Sequence, residues 1–140
     1  MARPAPPADP ASAPGAVPLA ARRTLSLPAP PAARGWDEFK HQAARRMVAA
    51  HPDGSYMGKP PEPLLAIPVL EVELNADGSV RKVTVMREPR EAKDTIKMAT
   101  DAVRRAAPYG DVSRLSKPWK FVVVFLYDDE RRFKPAELDH

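Results

Sequence analysis

Between Val69 and Tyr127 the apolar and polar positions follow the order strand, turn, strand, helix, strand. Val69-Leu70-Glu71-Val72-Glu73-Leu74 alternates with a period of two, placing Leu70, Val72 and Leu74 on one side and Glu71 and Glu73 on the other. That is the pattern of a sheet with one wet face. Asn75-Ala76-Asp77-Gly78-Ser79 carries the Asp-Gly pair of a hairpin turn. A second strand over 80–86 then turns Val83 and Val85 inward and Lys82 and Thr84 outward, with Lys82 expected to pair with Glu71 or Glu73. Arg87-Glu88-Pro89-Arg90 breaks it. The spacing predicts a helix over 91–107, with Ile96, Ala99, Val103 and Ala106 on one stripe and Ala102 alongside. Asp101 and Arg105 stand four apart in the favourable order for an ion pair. Pro108 and Gly110 stop this helix.

Upstream, Trp36, Phe39, Ala43, Met47 and Ala50 recur at helical spacing, which predicts a helix over 36–50. Asp37 and Glu38 sit in its first turn, where the helix dipole favours acids, and Pro52 and Gly54 end it. The stretch 51–68 carries Pro52, Pro60, Pro61, Pro63 and Pro68 and is long for a connector. Tyr56 and Met57 are its expected anchors. Residues 1–34 hold nine prolines, eleven alanines and no aromatic residue, a composition expected to stay disordered and to act as a semi-rigid Ala/Pro spacer. The expected organisation is therefore a linker over 1–34 and one α+β domain over 35–140.

Charge sharpens this division. The net charge is +4, and residues 1–34 carry Arg3, Arg22, Arg23 and Arg34 against Asp9, so the remainder is only +1. A nearly neutral domain argues against nucleic-acid binding, which asks for a basic face on the folded part. There are no cysteines, which excludes disulfides, thiolate metal sites and cysteine nucleophiles. No run approaches the ~20 apolar residues of a membrane span, and prolines interrupt any apolar core of a signal peptide. A membrane anchor is thus expected only in a segment preceding this chain.

Little in the sequence carries catalytic chemistry. His41 and His51 are ten apart and neither has a second ligand at i+4, so no metal site is expected. Ser55, Ser79, Ser113 and Ser116 lack a nucleophile-elbow setting. Asp128, Asp129 and Glu130 form an acidic run expected to be solvated. The expectation is a binding protein rather than an enzyme, with no cofactor and no metal.

The last strand holds the most informative pattern. Phe121, Val123, Phe125 and Tyr127 form one row, and Val122, Val124 and Leu126 the other, so the strand is apolar on both faces. With helices on one face only, one row meets the core and the other is a patch. Burying such a row is worth on the order of 2 kcal/mol per side chain. As an edge, this strand would be a template for strand addition by a partner, or for pairing with its own copy in a homodimer. The competing expectation is that the loop 51–68 or Phe133 covers the patch.

The alternating strand closing in Asp77-Gly78-Ser79-Val80, then Val83-Thr84-Val85, then the alanine-rich helix resembles the C-terminal domain of the TonB/TolA family, the cell-envelope energy transducers of Gram-negative bacteria. The segment Ala102-Val103-Arg104-Arg105-Ala106-Ala107-Pro108-Tyr109, the aromatic closing strand and Phe133-Lys134-Pro135 are similar to that group. The Ala/Pro-rich leader is similar to its periplasm-crossing linker. The resemblance implies a three-stranded antiparallel sheet in the order 2-1-3 with two helices packed on one face, the last strand being an edge. It implies a periplasmic domain, tethered to the inner membrane, that binds envelope or outer-membrane receptor proteins through peptide strand addition. The contact positions it implies are Lys120, Phe121, Val122, Val123, Val124, Phe125, Leu126, Tyr127 and Asp128. The alternative left open is a homodimerising structural envelope module without a transport role.

Overall fold

A computed structural model describes residues 17–139. The elements run α1 (Trp36–Ala50), β1 (Val69–Leu74), β2 (Val80–Arg87), α2 (Asp94–Ala106), β3 (Lys120–Tyr127) and β4 (Phe133–Pro135). The fold is α+β, but the antiparallel sheet has four strands in the order β2-β1-β3-β4, not three. The expected 2-1-3 order is its first part. What the sequence pattern missed is β4, which turns back after Asp128 and pairs Phe133 with Tyr127, Lys134 with Leu126 and Pro135 with Phe125. Three residues are too few to carry a periodicity. The turn that makes the return possible is built by side chains: the Asp128 carboxylate accepts from the main-chain N–H groups of Glu130 and Arg132 at 3.0 and 2.8 Å. Arg131 takes the left-handed conformation at φ 58°.

Both helices and the inner rows of the strands close on one core. Phe39 and Met47 of α1, Ala99 and Val103 of α2, Leu70 and Val72 of β1, and Phe125 of β3 are all fully buried. The small residues on α2 let it lie close to the sheet. Helix α2 begins at Asp94 rather than at 91, because Ala92 sits at φ 53° just before it. Register irregularities on either side of the β1–β2 ladder set β2 slightly off the expected faces. Val83 packs against the core, while Val85 is 37% exposed. Lys82 stands opposite Glu73 as expected, yet the ion pair formed here is between Lys120 and Glu71, at 3.3 Å.

The Asp-Gly turn docks on the loop after α2. Gly78 adopts φ +87°, and the Tyr109 N–H donates to its carbonyl at 2.9 Å. A Cβ on Gly78 would lie 2.0 Å from the Gly110 carbonyl oxygen, so only glycine fits.

The expected boundary at Arg34 is not a boundary of contact. The part of the Ala/Pro-rich segment over 1–16 lies outside the described residues. Residues 17–34 form a strap that makes a 3₁₀ turn over Leu19–Ala21 and then runs antiparallel to α1, with Leu27 and Ala33 packed against the core. The Leu25 N–H donates to the Ala50 carbonyl at 2.8 Å, and Arg23 pairs with Asp53 at 2.8 Å. At Leu27 and Pro28 the strap accepts instead, from the Arg46 guanidinium of α1.

Candidate functional site

Strand β3 splits the expected contact positions into groups of different character. Phe121, Val123, Phe125 and Tyr127 face the helices and are nearly fully buried. Phe121 meets Phe39 and Tyr109 edge-on at 5.3 and 5.8 Å, and Phe125 meets Phe133 at 5.1 Å. Their side chains belong to the core. On the outer face Val122 is 47% exposed, whereas Val124 and Leu126 are half-buried.

The long loop after α1 accounts for part of that cover. It first lays Ser55 beside Phe133, on the free side of β4, then passes Leu64 and Met57 near Leu126. It returns to the other side of β3, where the Leu65 N–H donates to the Tyr127 carbonyl at 2.9 Å. Tyr56 is an anchor, as expected, through its hydroxyl on the Leu126 carbonyl at 2.9 Å. Met57 is not, being 59% exposed. Phe133 does not cover the outer row; it inserts on the core side among His51, Phe125 and Tyr127.

The expectation that β3 is an edge along its whole length is overturned. The N–H groups of Phe125 and Tyr127 donate toward β1, to the carbonyls of Pro68 and Ala66 at 3.0 Å each. By alternation, Val122, Val124 and Leu126 direct their backbone groups to the opposite side. There Leu126 is claimed by β4 and Tyr56. The ladder ends at Pro135, opposite Phe125, where the chain leaves in a 3₁₀ turn over Ala136–Leu138. The open stretch is the first half of β3, centred on Val122.

A groove of about 230 Å³ runs beside this half-edge. Lys40, Ala44 and Met47 of α1 form one wall, and Pro135 and Glu137 close the far end. Those five residues were not legible as site residues, because they converge only through the β4 return. Lys120 is exposed at the start of β3, its Nζ held by Glu71. Asp128, expected at the end of the contact row, is 4% exposed and is bound to Arg132 at 2.8 Å, so it shapes the turn instead. The other sheet edge, β2, is guarded: Arg81, Lys82 and Arg87 line it and its ladder is irregular, both common protections against strand pairing.

Among the described residues no group of three or more His, Asp or Glu side chains is placed to hold a metal ion. No described helix is long and apolar enough to cross a membrane. His51 is buried, its Nδ1 bound to the Met47 carbonyl at 2.8 Å, and burial pushes its pKa down. No protein-family model, curated protein or solved structure matches the chain.

Proposed function

We propose that this chain is the partner-binding domain of a TonB/TolA-like envelope energy transducer. In this reading it is periplasmic, tethered to the inner membrane by a preceding segment, and takes a short extended segment of an envelope or receptor protein as an added strand beside residues 120–124 of β3. The observation that carries the reading is the open half-edge: Val122 presents backbone groups and an exposed side chain beyond Pro135, the last residue of β4. Main-chain hydrogen bonds there supply affinity, and the groove along Ala44 and Met47 supplies side-chain selection. The β2-β1-β3 order with both helices in one core is the arrangement that the TonB/TolA resemblance implies, and it supports the reading.

The test is an amide NMR titration of the full chain with peptides from receptor plug segments and envelope proteins. Shifts at Lys120, Val122 and Val124, with little change at Leu126, are expected. The variant Val122→Pro removes an N–H on the unpaired side, so it should keep the fold and lose the peptide. Retained binding in that variant would exclude strand addition at this edge. Shifts at the same positions caused by protein concentration alone would favour the homodimer.

A further inference from the structure

A cavity of about 200 Å³ lies away from the sheet edge, between the strap and the body of the domain. Leu19 and Thr24 of the strap form one wall, Met98, Ala102 and Arg105 of α2 another, and Tyr127 and Phe133 an aromatic floor, with His51 beside them. Most charged groups around it are already engaged. Arg22 donates through Nε to the Val17 carbonyl at 3.0 Å, and through its other nitrogens to the carbonyls of Arg131 and Glu130. Arg23 is paired with Asp53 and Arg131 with Asp94.

Three polar groups on the cavity lining are not engaged. Arg105 stands four residues after Asp101, but the Asp101 carboxylate is taken by Lys97 at 2.9 Å. The Arg105 guanidinium makes no hydrogen bond or ion pair among the described residues. Tyr127 is 1% exposed, and its hydroxyl makes no hydrogen bond among the described residues, whereas the hydroxyls of Tyr56 and Tyr109 each donate to a main-chain carbonyl. His51 is 7% exposed; with Nδ1–H donating to Met47, its Nε2 is a bare acceptor without a partner. Buried polar groups are almost always hydrogen-bonded. His51 Nε2 is such an exception, and the apolar-floored cavity that it lines also carries the exposed, unengaged Arg105 guanidinium and the unbonded Tyr127 hydroxyl; together they call for an occupant.

We propose that this cavity binds a small organic carboxylate whose apolar body is about the size of one aromatic ring and which also carries a hydroxyl or N–H donor. Arg105 and the Tyr127 hydroxyl donate to the carboxylate. Met98, Ala102 and Phe133 contact the body, and His51 Nε2 accepts from the ligand's donor. The strap closes the site, so its docking is part of the binding surface. This site is separate from the β3 half-edge and does not depend on the strand-addition reading.

The test uses the full chain and three probes at millimolar concentration: phenyllactate, with carboxylate and hydroxyl; phenylpropanoate, with carboxylate only; and phenylpropanol, with neither the acid nor its charge. Amide shifts at Met98, Ala102, Arg105 and Tyr127 are expected, with affinity falling in that order. Arg105→Gln, at an exposed position, should weaken phenyllactate about tenfold, the scale of a hydrogen bond to a charged group. Tyr127→Phe keeps the ring and its packing and should weaken it about threefold. His51→Phe should remove the preference for phenyllactate over phenylpropanoate. The proposal is overturned by an absence of shifts around the cavity with all three probes. It is equally overturned by the alcohol binding as tightly as the acids, or by unchanged acid affinity in Arg105→Gln.

Discussion

The Nε of Arg46 donates to the Ala106 carbonyl oxygen at 2.5 Å. From the same guanidinium, the two terminal nitrogens reach the carbonyls of Pro28 and Leu27 at 2.7 and 3.1 Å. One residue of α1 therefore closes the C-terminal end of α2, where carbonyls lack helical partners and the dipole favours a cation, and clasps the strap in the same contact. Arg46 is only 9% exposed, and these three main-chain oxygens satisfy it. The strap is thus a third layer over the helices.

Replacing Arg46 with Met keeps most of the stem but leaves the three carbonyls unpaired. We expect a loss of about 2–4 kcal/mol in urea unfolding, together with faster hydrogen exchange in the strap, for instance at Leu25. The neighbouring exposed Arg45→Met should stay within about 0.5 kcal/mol. Equal effects of the two variants would deny Arg46 its clasping role.

Gly78→Ala tests the docking of the hairpin on the Gly110 loop. The new methyl would meet the Gly110 oxygen at 2.0 Å from a positive φ, so the loss should exceed about 2 kcal/mol. Gly35 precedes α1 with nothing within 4 Å of its would-be Cβ, and Gly35→Ala should cost only a few tenths of that. Thermal melts of the two variants give the comparison directly.

Phe133→Ala removes the side chain that pins β4 to the core. A cost of about 3–5 kcal/mol is expected from its near-complete burial. Hydrogen exchange should separate two consequences. The Leu126 amide, on the β4 side, should lose protection first, whereas those of Phe125 and Tyr127, bonded toward Pro68 and Ala66, should keep more of it. Uniform loss across β3 would mean that β4 is not an independent addition to the sheet.

His51 makes stability depend on pH. Burial, aided by the nearby Arg105 charge, holds its folded pKa below 6.5 despite the Met47 hydrogen bond, so the unfolded chain binds the proton more readily. Stability is full above pH 6.5 and falls on acidification from there toward the lowered folded value. His51→Phe should flatten the curve in that window. Asp53 acts lower: hydrogen bonding to Arg23 holds its carboxyl at about 2 instead of 3.8, so its contribution is present above 3.8 and is lost as pH falls toward 2. A stability curve unchanged by His51→Phe between pH 7 and 5 would rule out the histidine as its source.

Local pattern was enough for several elements because they bury one face at a regular period. The stripe from Trp36 to Ala50 delimits α1, and the alternation from Val69 to Leu74 delimits β1, each to the residue. The two rows of β3 were legible for the same reason, and Val122 remains on the exposed one. Arg105 shows where such reasoning stops. Its i,i+4 spacing from Asp101 is ideal, yet Lys97 takes the carboxylate from the other side. Spacing names the candidates for a pairing but does not choose between competitors on the same helix face.

The helix and strand order as far as β3, the hairpin at Asp77-Gly78 and the division of β3 into two apolar rows follow from local pattern, since each depends on neighbours within a few positions; which row enters the core depends on the face that the helices cover. Tertiary structure alone decided that Phe133–Pro135 returns as β4, that residues 17–34 lie against the helices, and that only half of β3 stays open. Those outcomes rest on contacts between distant residues, such as Arg46 with Leu27 and Pro28, or Ser55 beside Phe133. A three-residue strand has no period, and a proline-rich strap has no face. Their places are set by the donors and apolar surface that the rest of the fold has already brought together.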